Sequence, residues 1–196
     1  MIERILIAGT GGQGVQVIAK LFAEAAAEEG RELIYTASYS GVQRGGDSTA
    51  NLIVSDRPIG APMILPGEIT ALLALSNEAL TKYESYLAPG AVLILSTSSV
   101  TRKPEREDLR IETIDAAALA TRAGSPRAAN LAALGALLRC RPVVSPALIE
   151  KQISQVFAGK TDAVIEANRK AFRLGLEGAD SSQEVLTHGS LHSVSY

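Results

Sequence analysis

An α/β fold, with a mostly parallel but mixed sheet sandwiched between two helical layers, is predicted from three observations. Short apolar runs such as Ile5-Leu6-Ile7-Ala8, Ala71 to Leu75 and Val92 to Leu95 are bounded by Gly, Ser or Pro, as strands buried on both faces are. Between such runs lie stretches whose apolar residues recur at helical spacing, the first from Val15 to Glu29. The 196 residues, 46% of them apolar, suffice for one core of ordinary domain size.

The elements follow in order. After the first strand comes a glycine-rich turn, then a helix with Val17, Ile18, Leu21, Phe22, Ala25 and Ala26 on its stripe, closed by Gly30 as a C-terminal cap. Leu33-Ile34-Tyr35 is the second strand, so the chain opens as a βαβ unit with a right-handed crossover, the start of a Rossmann-like fold. Ser38 to Asp47 reads as loop. Thr49 to Val54 is a third strand, and since no helix precedes it, it is expected to join antiparallel at an edge. Asn77 is the expected N-cap of a helix running to Leu87, Pro89-Gly90 a turn, and Leu109 to Ile114 the last strand. Asp115 caps a helical series: Ala116 to Arg122, Ala128 to Leu138, Pro146 to Phe157 and Thr161 to Leu176. The domain is thus expected over residues 1–177. The Ser-rich, aperiodic residues 178–196 are expected to form a poorly ordered tail.

Composition narrows function. Net charge is −2, from 19 basic and 21 acidic residues, which leaves no electrostatic footprint for nucleic acid or anionic membrane. No run is long enough to span a bilayer, and Met1 to Arg4 lead straight into a strand, so a cytoplasmic protein without a leader is expected. The single cysteine, Cys140, falls on an apolar helix face and reads as core; one thiol cannot hold an iron–sulfur cluster, which takes four. No metal spacing and no catalytic constellation is visible, so no catalytic residue is assigned to this chain.

Gly9-Thr10-Gly11-Gly12-Gln13-Gly14 matches G-x-G-x-x-G between a strand and a helix, the setting of a phosphate cradle. A nicotinamide site also needs an acid at the end of the second strand, and Tyr35 to Tyr39 offers none. A P-loop needs Lys-Ser/Thr after Gly14, where Val15-Gln16 stand. Three roles therefore stay open for the turn: close packing or contact with a partner subunit, contact with a phosphate-bearing cofactor, and a nicotinamide site. Arg44-Gly45-Gly46 can bring a guanidinium to an anion at the same sheet edge, or can be a solvated turn. Asn130, near Arg127, reads first as a helix-start residue and second as a site residue.

Taken together, Gly9 to Val15, Gln43-Arg44-Gly45-Gly46 and Ser55-Asp56-Arg57-Pro58-Ile59 resemble the gamma domain of 2-oxoacid:ferredoxin oxidoreductases. Tyr83 to Ile94 and Ala129 to Ala136 are similar to later segments of that family, so the likeness runs over about residues 3 to 176. The resemblance implies a subunit that is inactive alone. Its complex would decarboxylate a 2-oxoacid on thiamine diphosphate with Mg2+, pass electrons through iron–sulfur clusters to ferredoxin, and release acyl-coenzyme A. It implies that alpha and beta subunits, with a ferredoxin-like delta subunit in some members, hold those cofactors. The gamma domain's role would be architectural, near the route of coenzyme A, so Gly9, Gly11, Gly12, Gln13, Gly14, Arg44, Gly45, Gly46 and Asn130 become candidate contacts to coenzyme A or to a partner. An apolar docking face is expected, through which the isolated chain could form a homodimer. Val42 stands where the family often has Glu, so any salt bridge of that Glu is absent. Gln43 is reminiscent of the indolepyruvate branch, and Ser55 to Ile59 of the oxoglutarate and branched-chain type, the two substrates favoured here. A stand-alone NAD(P)- or nucleotide-binding protein is the alternative.

Overall fold

The structure, a computed structural model, describes residues 1–39 and 46–178. Six strands form one sheet: β1 (Ile2–Thr10), β2 (Glu32–Tyr39), β3 (Asp47–Ser55), β4 (Ile69–Ala74), β5 (Leu87–Ser96) and β6 (Arg110–Ile114), in the order β2-β3-β1-β4-β5-β6. Strands β1, β4, β5 and β6 run parallel, whereas β3 is antiparallel to both β1 and β2. The mixed sheet is the one expected, but β3 does not lie at the edge. It fills the gap between β1 and β2, and β2 is the edge strand. The crossover from β1 through α1 (Val15–Glu28) therefore steps over one strand, and β3 returns into the space as half of a hairpin.

Helices are unequally shared between the two faces. α1, α3 (Ala116–Arg122), α4 (Ala129–Cys140), α5 (Pro146–Val156) and α6 (Asp162–Glu177) contribute to one large core with Ile5, Ile7, Leu52, Leu73 and Ile94 of the sheet. Phe22 and Phe172 are fully buried in it, each contributing about 1.5–3 kcal/mol by removal from water. On the other face α2 (Asn77–Tyr83) packs on Leu6, Leu72 and Leu93, and the strap of residues 56–68 completes a thin layer.

Local chemistry sets the boundaries. Gly30, at φ 75°, follows the end of α1 in the left-handed conformation, as its reading as a cap required. Asp115 caps α3 by accepting from Ala118 N at 3.0 Å. The cap of α2, however, is Ser76, whose hydroxyl accepts from Ala79 N at 3.1 Å. Asn77 turns outward instead and its Oδ1 accepts from Thr101 N and Arg102 N, pinning the connector after β5. Pro89-Gly90, read as a turn, lies inside β5 at an irregularity of the β4–β5 register, with Gly90 at φ 68°. α6 ends on Gly178 in the left-handed conformation; the expected tail beyond it lies outside the described residues. Among the described residues no helix is long and apolar enough to cross a membrane.

Candidate functional site

The chain leaves β1 toward β2 and β3 on one side and β4 to β6 on the other, so the strand order reverses between β1 and β4. A crevice outside the carboxyl ends of the strands is expected at such a point. A cleft of about 460 Å³ opens there. The glycine turn supplies Gly12 and Gln13, the residue following β4 is Leu75, and the last residue of β5 with the segment after it supplies Ser96, Ser98 and Ser99. Ala116 and the turn into α4, with Pro126, Arg127, Ala129 and Asn130, close the far wall. This size lies within the range of small-molecule sites, about 300–1,000 Å³.

Each glycine of the turn answers a different constraint. A Cβ on Gly9 would lie 2.5 Å from Gln13 Oε1. That amide is fixed: its oxygen accepts from Thr10 N at 2.7 Å and its nitrogen donates to Leu75 O at 2.6 Å, tying the turn to β4. Gly11 N donates to Gly46 O at 2.9 Å, which joins the two glycine segments at one edge. Gly14 sits at φ 74° as N-cap of α1, and a Cβ there would lie 2.2 Å from Asn130 Nδ2. Gly12, at φ 96°, meets nothing within 4 Å and faces open space at the cleft. α1 begins with no side-chain cap and no acidic residue in its first turn, so its positive end is uncompensated from within.

The cleft thus gathers Gly12, Gln13 and Asn130 from the residues singled out in the sequence. Gly9, Gly11 and Gly14 support it from behind, Gly46 lies beside Gly11, and Arg44 and Gly45 lie outside the described residues. Sequence reasoning passed over Ser96, Ser98, Ser99 and Arg127 as site residues. Ser96 and Ser98 share a hydrogen bond at 3.1 Å, and Ser99 donates to Ser96 O. The signal for them was a serine cluster directly after a buried parallel strand. Arg127 is exposed at the cleft and, among the described residues, makes no hydrogen bond or ion pair. At the same edge Lys82 is held by Asp47 at 2.5 Å, and this hydrogen bond raises the pKa of its ammonium.

The chemistry available is recognition of an anion by one guanidinium, hydroxyls and backbone amides. β3, running the opposite way, occupies the place beside β1 that a dinucleotide fold gives to its second parallel strand. The end of β2 is thereby about 4.8 Å further from the glycine turn. Among the described residues no group of three or more His, Cys, Asp or Glu could hold a metal ion. Cys140 is buried and free, and burial pushes its thiol up, so the residues present do not fit an iron–sulfur cluster.

The family model described as pyruvate ferredoxin/flavodoxin oxidoreductase matches residues 4–178, and the chain belongs to that family. Within it, the chain is a gamma subunit of the 2-oxoacid:ferredoxin oxidoreductase type. It is 32% identical over 182 residues to the 2-oxoglutarate synthase subunit KorC of Methanocaldococcus jannaschii, covering 91% of this chain and 95% of that one. It is 29% identical over 182 residues to the ketoisovalerate oxidoreductase subunit VorA of Methanothermobacter marburgensis, covering 92% of this chain but only 37% of that longer protein. The crystal structure of a keto/oxoacid ferredoxin oxidoreductase gamma subunit from Geobacter sulfurreducens superposes with a TM-score of 0.74 at 34% identity, covering 90% of this chain and 98% of that one.

Proposed function

We propose that this chain works as the gamma subunit of a cytoplasmic complex that oxidatively decarboxylates a 2-oxoacid to acyl-coenzyme A. 2-Oxoglutarate or a branched-chain oxoacid is the favoured substrate, and ferredoxin accepts the electrons. Thiamine diphosphate with Mg2+ and the iron–sulfur clusters belong to the alpha, beta and, where present, delta subunits. The isolated chain is inactive. Its own contribution is to hold the phosphate-bearing end of coenzyme A in the cleft between β1 and β4. The observation that carries this reading is Arg127, a cation unpaired among the described residues and lining the cleft with Ser98, Ser99 and the open backbone at Gly12.

In this arrangement Arg127 supplies charge and the serines supply hydroxyl donors. Gly12 lets an anion approach the backbone without a Cβ in the way. Asn130 and Gln13 keep the turn in place through Gly14 and Leu75. The test is Arg127→Ala in the assembled complex. The KM for coenzyme A is expected to rise about tenfold, as loss of one charge-assisted hydrogen bond implies, while the KM for the 2-oxoacid stays put. An unchanged KM for coenzyme A removes the ligand from this cleft.

A further inference from the structure

Leu75, Ser76 and Asn77 tie the glycine turn to the serine turn across the cleft. Leu75 lines the cleft, and its carbonyl accepts from Gln13 Nε2 at 2.6 Å, which holds the glycine turn. Its own amide donates to Ala8 O at 2.8 Å, so Leu75 is fixed to β1 as well. Ser76 is buried and caps α2. With that cap supplied, Asn77 is released from the task, and its side chain reaches the segment after β5. Its Oδ1 accepts from Thr101 N at 3.0 Å and from Arg102 N at 2.9 Å, and its Nδ2 donates to Thr101 Oγ1 at 3.2 Å. Asn77 itself does not line the cleft.

Ser98 and Ser99 stand on a turn held at both ends. At its start Thr97 N donates to Ile114 O at 2.9 Å, and Ser96 O accepts from Ser99 N and Val100 N. At its end Val100 is buried in the smaller core, and Asn77 takes the next two amides. Burial of Val100 sets the depth of the turn but not its direction, because apolar contact is non-directional. Two hydrogen bonds into one side-chain oxygen do set direction. Further along, Thr81 accepts from Arg102 Nη1 at 2.9 Å, and the buried Glu84 accepts from Arg106 N at 2.8 Å. These contacts hold the rest of the connector without Asn77. Loss of its amide therefore loosens the stretch beside the serines and leaves the fold standing.

We propose that Asn77 is a positioning residue for coenzyme A: by holding the amides of Thr101 and Arg102 it keeps Ser98 and Ser99 in register with the glycine turn across the cleft. It acts through the serines and does not touch the ligand. The proposal rests on the function given above, in which those hydroxyls help to hold the phosphate-bearing end of coenzyme A.

The test compares the assembled complex carrying wild type, Asn77→Ala, Asn77→Asp or Arg127→Ala. Asn77→Ala is expected to raise the KM for coenzyme A about tenfold, as misplacing two hydroxyl donors implies, with kcat and the KM for the 2-oxoacid within about twofold of wild type. Asn77→Asp keeps an oxygen where both amides donate, and the Thr101 hydroxyl can turn to donate to the second oxygen. It is expected to restore the KM for coenzyme A to within about twofold of wild type. In the wild-type complex, which needs no variant to fold, saturating coenzyme A is expected to slow amide exchange at Thr101 and Arg102 about threefold or more. Unchanged exchange at both amides overturns the proposal. So does an Asn77→Asp as impaired as Asn77→Ala, or a fall in kcat and a rise in both KM values together, which mark a general loss of structure. A KM for coenzyme A that moves with Arg127→Ala and not with Asn77→Ala overturns this proposal alone. If neither variant moves it, the reading of the cleft fails first, and this proposal with it.

Discussion

Glycine serves opposite ends in two regions of this molecule. Where α4 crosses α6, Gly135 and Gly175 let the helices touch: a Cβ on Gly135 would stand 2.2 Å from Phe172 O, and one on Gly175 would stand 1.9 Å from Ala132 O. In the turn after β1, Gly12 meets nothing within 4 Å, and its glycine is demanded by a φ of 96° alone. One glycine is fixed by what surrounds it and the other by its own backbone, with space left over. A glycine pattern in a sequence does not separate the two. What a side chain would meet does, and in the crossing it meets backbone that cannot step aside.

The contrast can be broken by experiment. Gly175→Ala should give the largest effect, a loss of about 3 kcal/mol or more in unfolding free energy, because α4 and α6 must move apart. Denaturant melts of the isolated domain read it directly; a loss under about 1 kcal/mol would show that the crossing yields easily. Gly14→Ala and Gly12→Ala should separate next. Both pay for a left-handed residue, about 1–2 kcal/mol, but only Gly14→Ala also collides with Asn130. Adding Asn130→Ala should recover part of the Gly14→Ala loss and none of the Gly12→Ala loss, measured as a double-mutant cycle. Gly12→Val should also harm folding. Crowding is not the cause, since the space is open; the backbone angle is.

The smallest effect concerns the flank of the crossing. Glu150 on α5 accepts from Arg173 on α6, and this hydrogen bond holds its carboxyl below the usual carboxylate range. The folded pKa is the lower one, so the pair's contribution is complete above the unfolded value, about 4.3, and fades as pH falls through the folded value. Being partly exposed, it is worth less than about 1 kcal/mol. Glu150→Gln should remove that part of the acid sensitivity and leave neutral-pH stability within about 1 kcal/mol of wild type; an identical pH profile would show the pair to be silent.

How much could be read beforehand depended on how local the cause was. β1, β4 and β5 were legible because strands buried on both faces leave continuous apolar runs. The antiparallel sense of β3 was legible because no helix separates it from β2. Its place was not: a hairpin can dock by either of its strands, and nothing in the local pattern of Glu32 to Ser55 says which one meets β1. Ser76 and Asn77 are both good caps, and only the demands of Thr101 and Arg102 decide that Asn77 faces the other way. In the cleft, the glycine turn and Asn130 carried signals of their own. Arg127 and the serines after β5 did not, because their significance comes from α4 being folded back over the carboxyl ends of β4 and β5, long-range packing that no motif records.

Cys140 gives the domain a built-in chemical clock. It is the one thiol in the chain, it is the last residue of α4 with its side chain buried in that helical layer, and burial keeps it in the unreactive protonated form. A disulfide reagent therefore reacts at a rate set by how often that helical layer opens, and the same colour change follows assembly, strain or ligand without any added label.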